Sequence, residues 1–207
     1  MPLKNITYDQ LNLKNVQSVF NLCEDMSVKH SEKTYCKAKA KDKHLIKDNP
    51  CFGYLQLYYF KIPQIYVTTP EMKCLFGIQG RGGDNFQMSL QFTNLEEDPI
   101  MKDFFDWIQN LEFLCMDHLG LNEKDSGRFI SQIKYDKHKK YDPNLSIKIP
   151  FQYNHFQTDV YSDHSSAINL LNIQGFTPMK CDIYLDKIWR INDTFHCKWK
   201  CSGIYLI

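Results

Sequence analysis

Apolar and polar residues alternate one by one in several stretches of this chain, and each such stretch predicts a strand with one dry face and one wet face. From Phe86 to Thr93 the apolar set is Phe86, Met88, Leu90 and Phe92, set against Gln87, Ser89 and Gln91. From Leu145 to Tyr153, the residues Leu145, Ile147, Ile149, Phe151 and Tyr153 alternate with Ser146, Lys148, Pro150 and Gln152, and the proline belongs at an edge or a strand end. The final twenty-five residues, Ile183 to Ile207, predict a hairpin joined at the turn-favouring pair Asn192-Asp193. Its second arm sets Phe195, Cys197, Trp199 and Cys201 on one face and His196, Lys198 and Lys200 on the other. The final strands are expected from about Lys180. Gly53 to Phe60 and Gln64 to Thr68 complete the expected strands.

Helical spacing is clearest after Asp98-Pro99, where Phe104, Ile108, Leu111, Leu114 and Cys115 recur at steps of three and four until Gly120. This predicts one long helix over Pro99 to Leu119, with acids near its start where the helix dipole favours them. Leu13, Val16 and Phe20 predict a short amphipathic helix within residues 8–22, and a helical turn is expected around Asp125 to Ile133. Residues 157–169 read as a polar loop. Gly77 to Asp84 is rich in glycine, but a strand follows it where a phosphate cradle would need a helix. It is expected to be a hairpin loop with Arg81 at its tip.

This order predicts an α+β fold: an antiparallel OB-like β-barrel or sheet, elaborated by one long helix and an N-terminal helical segment. Residues 1–50 are expected to hold the N-terminal helix and a basic segment, and residues 51–207 the OB-like domain.

A length of 207 residues with 43% hydrophobic content supports a substantial core. The formal net charge is only +1, yet its distribution is uneven. Lys29 to Lys47 holds seven lysines against Glu32 and Asp42, whereas Asn94 to Asp125 holds nine acids against Lys102 and Lys124. Gly127 to Lys200 turns basic again, with eleven Lys/Arg against seven Asp. A near-neutral chain can therefore carry a cationic face and a separate acidic one.

Eight cysteines occur without any CxxC pair, and the first residues form no apolar leader. A reducing intracellular location is expected, with the thiols acting as small buried hydrophobes rather than zinc ligands. No apolar run approaches the roughly 20 residues of a membrane-spanning helix.

Catalytic patterns are absent: there is no HExxH, GxSxG or nucleophile paired with histidine. Asp182 and Asp186 lie four apart in an expected strand and could bind a metal, but solvated charges beside a basic groove are the commoner explanation. His118 ends the long helix, where a cation is favourable. No catalytic residue, metal or cofactor is assigned.

Phosphates call for lysine and arginine along a groove, and unpaired bases call for exposed aromatic faces. The two are interleaved in three places: Lys134, Lys137, Lys139 and Lys140 with Tyr141; Lys148 with Tyr153, His155 and Phe156; and Arg190, Lys198 and Lys200 with Trp189. Arg81 joins them as a phosphate contact. Phe195 and Trp199 alternate with the lysines and are expected in the core. Trp189 and Tyr141, flanked by charges and turn residues, are expected at the surface.

The order of these pieces resembles the single-stranded DNA-binding proteins of large eukaryotic DNA viruses, a divergent OB-fold family. The pieces are Ile65-Tyr-Val-Thr-Thr-Pro70 followed by Met72 and Phe76-Gly77; the strand Phe86 to Phe92 leading into the helix with Phe104, Phe105 and Ile108; Lys140-Tyr-Asp-Pro143 followed by Ile147-Lys-Ile-Pro150; and Ile188-Trp189 with Asn192, Phe195 and Trp199-Lys200. They cover about residues 54–204. The resemblance implies sequence-independent coating of single-stranded DNA during viral-type genome replication or recombination, without a cofactor. The setting it implies is the host cytoplasm, at viral replication sites, or the nucleus. It marks Tyr141, Lys148, Trp189 and Lys200 as DNA-facing. The chain departs from the family in having Asp142-Pro143 where two prolines are usual and His196 where a glycine is usual. It also ends on Ile204 to Ile207 with no acidic tail, so recruitment of partners through such a tail is not expected.

Two other readings stand beside this one. The acidic segment Glu96 to Asp117 could be the partner face of a scaffold component in a replication or transcription complex. Asp182 and Asp186 could serve a metal-dependent nuclease. Stacking and phosphate contacts serve RNA as well as DNA, and replication proteins are natural partners of a strand-coating protein.

Overall fold

The computed structural model describes residues 6–23, 36–40, 53–162 and 169–207. Its strands are labelled in chain order: β1 Val16–Cys23, β2 Cys36–Ala40, β3 Gly53–Tyr59, β4 Ile65–Thr68, β5 Met72–Cys74, β6 Phe86–Gln91, β7 Asn144–Ile149, β8 Asp159–Tyr161, β9 Thr177–Ile191 and β10 Thr194–Leu206. The helix α1 spans Pro99–His118.

Five strands close into a barrel: β5 pairs with β6, β6 with β7, β7 with β10, β10 with β9, and β9 returns to β5. Numbered within the barrel, the order is 1-2-3-5-4 and back to 1, with the β7–β10 pair parallel and the others antiparallel. This is a five-stranded Greek-key arrangement, and the fold is α+β on an OB-like barrel. The alternation of the sequence is realised in three dimensions. Met88 and Leu90 of β6, Leu145, Ile147 and Ile149 of β7, and Phe195, Cys197, Trp199 and Cys201 of β10 are all buried. Each such leucine, isoleucine, methionine or phenylalanine contributes about 1.5–3 kcal/mol when fully removed from water.

Asp98 caps α1 by accepting hydrogen bonds from the backbone N–H groups of Ile100 and Met101 at 2.9 and 3.1 Å, with Pro99 in the first turn. Met101, Phe104, Trp107, Ile108, Leu111 and Cys115 form its buried stripe. That stripe meets the barrel through Phe104 against Phe92, with ring centroids 6.0 Å apart, and Trp107 against Trp199, 6.4 Å apart. Gly120, at φ 71, closes the helix.

Several expectations are corrected. The helix expected within residues 8–22 is instead two short 3-10 turns, Tyr8–Gln10 and Leu13–Asn15, followed by β1. Phe20 at that helical spacing is a strand residue: it is buried opposite Leu55 where β1 pairs antiparallel with β3. The close approach needs Gly53, because a Cβ there would lie 2.6 Å from the Asn21 carbonyl oxygen. The strand expected from Leu145 to Tyr153 stops at Ile149. After Pro150 a separate hairpin forms, in which Phe151–Gln152 pairs with His155–Phe156. Within the expected loop of residues 157–169, Asp159–Tyr161 is a strand alongside β10. The final strands start at Thr177 rather than Lys180. Of the basic run Lys29 to Lys47, only β2, which pairs with β1, falls within the described residues.

A candidate nucleic-acid interface on the barrel wall

The outward residues of five adjacent strands line up in a row. Strand registers place Tyr66 opposite Tyr184, Tyr184 opposite Lys200, Lys200 opposite Lys148, and Lys148 opposite Gln87. Reading across the sheet, two aromatic rings are followed by two ammonium groups and an amide. Tyr66 and Tyr184 stack with centroids 5.1 Å apart and ring planes 26° apart. The neighbouring outward positions along β6 and β7 are Ser89, Gln91, Asn144 and Ser146, polar and uncharged, while on β9 Asp182 and Asp186 flank Tyr184 on the same face.

Lys198 lies one outward position along β10 from Lys200. The Lys148 ammonium is held below its ordinary range first by burial, then by the like charges of Lys198 and Lys200, with Asp186 opposing them. Neither Lys148 nor Lys198 has an ion-pair partner among the described residues. Such a cluster gains most from an anion that relieves its mutual repulsion. Lys200 is different, because its Nζ pairs with Asp186 Oδ2 at 2.5 Å. His196, next on the same face, is also held below its ordinary value by burial and then by Lys198, and its Nε2 lies 2.8 Å from Thr194 Oγ1.

The two aspartates that could have held a metal are occupied by donors. Asp182 accepts from Thr68 Oγ1 at 2.6 Å and from the Tyr205 hydroxyl at 2.8 Å. Asp186 accepts from Gln64 Nε2 at 2.7 Å as well as from Lys200. Among the described residues, no group of three or more His, Cys, Asp and Glu side chains is placed to hold a metal ion.

A β-bulge in β9 shapes this wall. Ile188 pairs with Cys197, but Leu185 pairs with Trp199, so Asp186 and Lys187 take up one extra residue. In consequence an odd-numbered residue, Trp189, and an even-numbered one, Tyr184, face the same side. Trp189 is half-buried against Tyr54, with centroids 5.0 Å apart, and Lys187 Nζ sits 4.4 Å from the Tyr54 ring centre and 5.6 Å from that of Trp189.

The other sequence-derived positions fall at the two ends of the β6–β7 pair. At one end, Gln79–Gly80 pairs with Gln87 and Phe86, and Arg81 projects from the exposed loop beyond. Tyr153, 78% exposed, is at the tip of the hairpin that follows β7, and His155 is the next strand residue, opposite Gln152. Phe156 is half-buried, each of its rings' neighbours Phe86 and Phe151 lying 4.9 Å away. At the other end lies the loop with Lys137, Lys139 and Lys140. Its Tyr141 is 62% exposed, with the Lys140 ammonium 5.3 Å from the ring centre. Lys134 is exposed, and its Nζ donates to the Ser131 carbonyl at 2.5 Å.

Arg190 is corrected. Its neighbour Trp189 turns outward, so Arg190 turns inward to 2% exposure, over the Phe195 ring at 5.4 Å, with Nε donating to the Asn192 carbonyl at 3.2 Å. It secures the hairpin turn instead of meeting solvent. Tyr54, Tyr66, Tyr184 and Lys187 were missed by sequence reasoning. Counting back from Asn192-Asp193 puts Leu185 opposite Lys200, and only the bulge replaces it with Tyr184.

No family model matches this sequence, and no curated protein matches it. Among solved structures, the chain is similar to the single-stranded DNA-binding protein from bacteriophage Enc34 in complex with ssDNA, with a TM-score of 0.48 and 12% identity over 69% of this chain and 85% of that chain. Another structure of the Enc34 protein gives a TM-score of 0.48 and 11% identity over 68% and 79%. A third is gp2.5, a single-stranded DNA-binding protein encoded by bacteriophage T7, with a TM-score of 0.46 and 13% identity over 69% and 86%.

Proposed function

We propose that this protein binds single-stranded DNA without sequence preference and without catalysis, coating or protecting it during genome replication or recombination. The observation that carries this reading is the row Tyr66, Tyr184, Lys200, Lys148 across the barrel wall, with Lys198 beside it and Trp189 at its flank. Aromatic faces meet bases of any identity at about 1–3 kcal/mol per stack, and lysines meet phosphates. The viral setting is supported by the motif order running from Ile65 to Lys200.

The test is titration with oligo-dT across a range of salt, with duplex DNA and RNA as competitors. Tight binding to the single strand is expected, weakening on a log–log plot by about 0.7 per phosphate neutralised. Trp107 and Trp199 are buried and Trp189 is half-buried, so quenching of intrinsic fluorescence is expected to disappear in Trp189→Phe. Absence of binding at low salt would overturn the proposal, and preferential binding of RNA would change the ligand.

A further inference from the structure

A second feature lies beyond the barrel, at the turn that joins β3 to the short segment Ile62–Pro63. A pocket of about 480 Å³ is lined by Lys14, Asn15, Gln17, Phe60 and Lys61. Among the described residues its lining holds two cations, two amides and an aromatic ring, and no carboxylate. The turn itself is costly. Phe60 and Lys61 both sit in the left-handed region, at φ 46 and φ 70, where asparagine and glycine are favoured. Phe60 contributes little to the core, being 65% exposed, and its ring meets that of Tyr59 edge-on with centroids 4.7 Å apart. A two-residue hairpin turn built for stability alone would not place these residues there.

The pocket and the barrel wall share one face of the sheet. Trp189 is opposite Tyr54, and β3 carries that face on to Tyr58, opposite Gln17 of the pocket, with Gln56 buried between the two tyrosines and donating to the Asp186 carbonyl at 3.1 Å. We infer that this pocket holds one nucleotide of a bound single strand, its phosphate on Lys14 and Lys61 and its base against Phe60. The inference rests on the single-stranded DNA reading of the barrel wall and extends that path across β3 and β1.

The experiment compares wild type, Lys14→Glu/Lys61→Glu, Phe60→Asn and, as a barrel control, Lys148→Glu/Lys198→Glu. Each is titrated with oligo-dT of about 6 and about 20 nucleotides, within and beyond the usual site of one OB fold. The pocket variants are expected to bind the short oligonucleotide as wild type does and to lose roughly tenfold on the long one, with the salt slope of the lysine pair falling by about 0.7 for the one phosphate lost. Phe60→Asn keeps a residue suited to the turn, so its melting temperature should not fall while its affinity does. That separates a lost contact from a lost fold. Unchanged long-oligonucleotide affinity in both pocket variants, with the barrel control weakened, overturns the inference and leaves the barrel reading standing. Failure of wild type to bind either length removes both. Tight binding of dTMP that Phe60→Asn abolishes, with oligonucleotide affinity unchanged, also overturns it, because the pocket would then serve free nucleotide.

Discussion

The barrel wall and helix α1 are both amphipathic and bury similar side chains, yet their outer faces carry opposite charge. On the wall the outward residues include Lys148, Lys198 and Lys200, among serine, glutamine and tyrosine. On the helix they include Asp103, Asp106 and Asp117, with Ile100 and Phe113 exposed among them at 60% and 62%. A net charge of +1 is thus the sum of two segregated surfaces. Core patterning decides which face is dry, and the charge of the wet face is left free to be set by function. The helix behaves as structure, with a partly exposed Lys102–Asp106 pair at 3.3 Å that is worth little. The wall holds cations close together at a cost, which a structural role does not require.

The strongest test of this contrast is Lys148→Glu/Lys198→Glu. Neither lysine holds an ion pair among the described residues, and the change relieves repulsion with Lys200, so thermal stability should be retained. Affinity for oligo-dT should fall roughly a hundredfold at low salt, measured by fluorescence anisotropy. Stable protein with unchanged affinity would place the ligand elsewhere.

The pH profile should give a smaller effect. His196 is held below its ordinary value in the free protein, and phosphates nearby would oppose the repulsion from Lys198 and favour the charged form. Binding then takes up a proton, so affinity should rise by roughly threefold as pH falls through the imidazole's range from about 7 to about 5. The same titration on His196→Asn should be flat. A profile that steepens in the opposite direction would mean that His196 faces no phosphate.

Least affected should be Asp103→Asn/Asp117→Asn on the helix. Affinity should change by less than about twofold, the residual effect being long-range and screened by salt. A large loss would transfer the interface to the helix and revive the scaffold reading.

Elements carried by a strict local rule were legible in the chain. The period-two runs in β6, β7 and β10 and the period-3.6 stripe of α1 place Leu90, Ile147, Trp199 and Phe104 in the core, as the structure has them. Residues 8–22 misled because Val16 and Phe20, four apart, fit both periods, while Leu13 lies in the turn before the strand. Long-range pairing with β3 chose the strand. Lys148, Lys198 and Lys200 were legible because they sit within unbroken alternation. Tyr184 was overlooked because it lies beyond the irregularity at Asp186-Lys187, where parity counted back from the turn stops predicting the face. Arg190 lies on the unbroken side, opposite buried Phe195, and was grouped with Trp189 by sequence proximity alone. Tyr66 and Tyr54 needed the tertiary register of strands distant in sequence, which no local pattern contains.

That irregularity gives the hairpin slack in length at one place. Losing a single codon at Asp186 or Lys187 would leave every hydrophobic residue of β9 in the chain. It would set the one remaining residue across from Lys198, with Leu185 still across from Trp199 and Tyr184 still across from Lys200. The hairpin would close at Asn192-Asp193 with both faces intact. Natural variants of this protein should therefore tolerate the loss of one residue here far better than a loss between Ile188 and Ile191, where every side chain beyond it would change face.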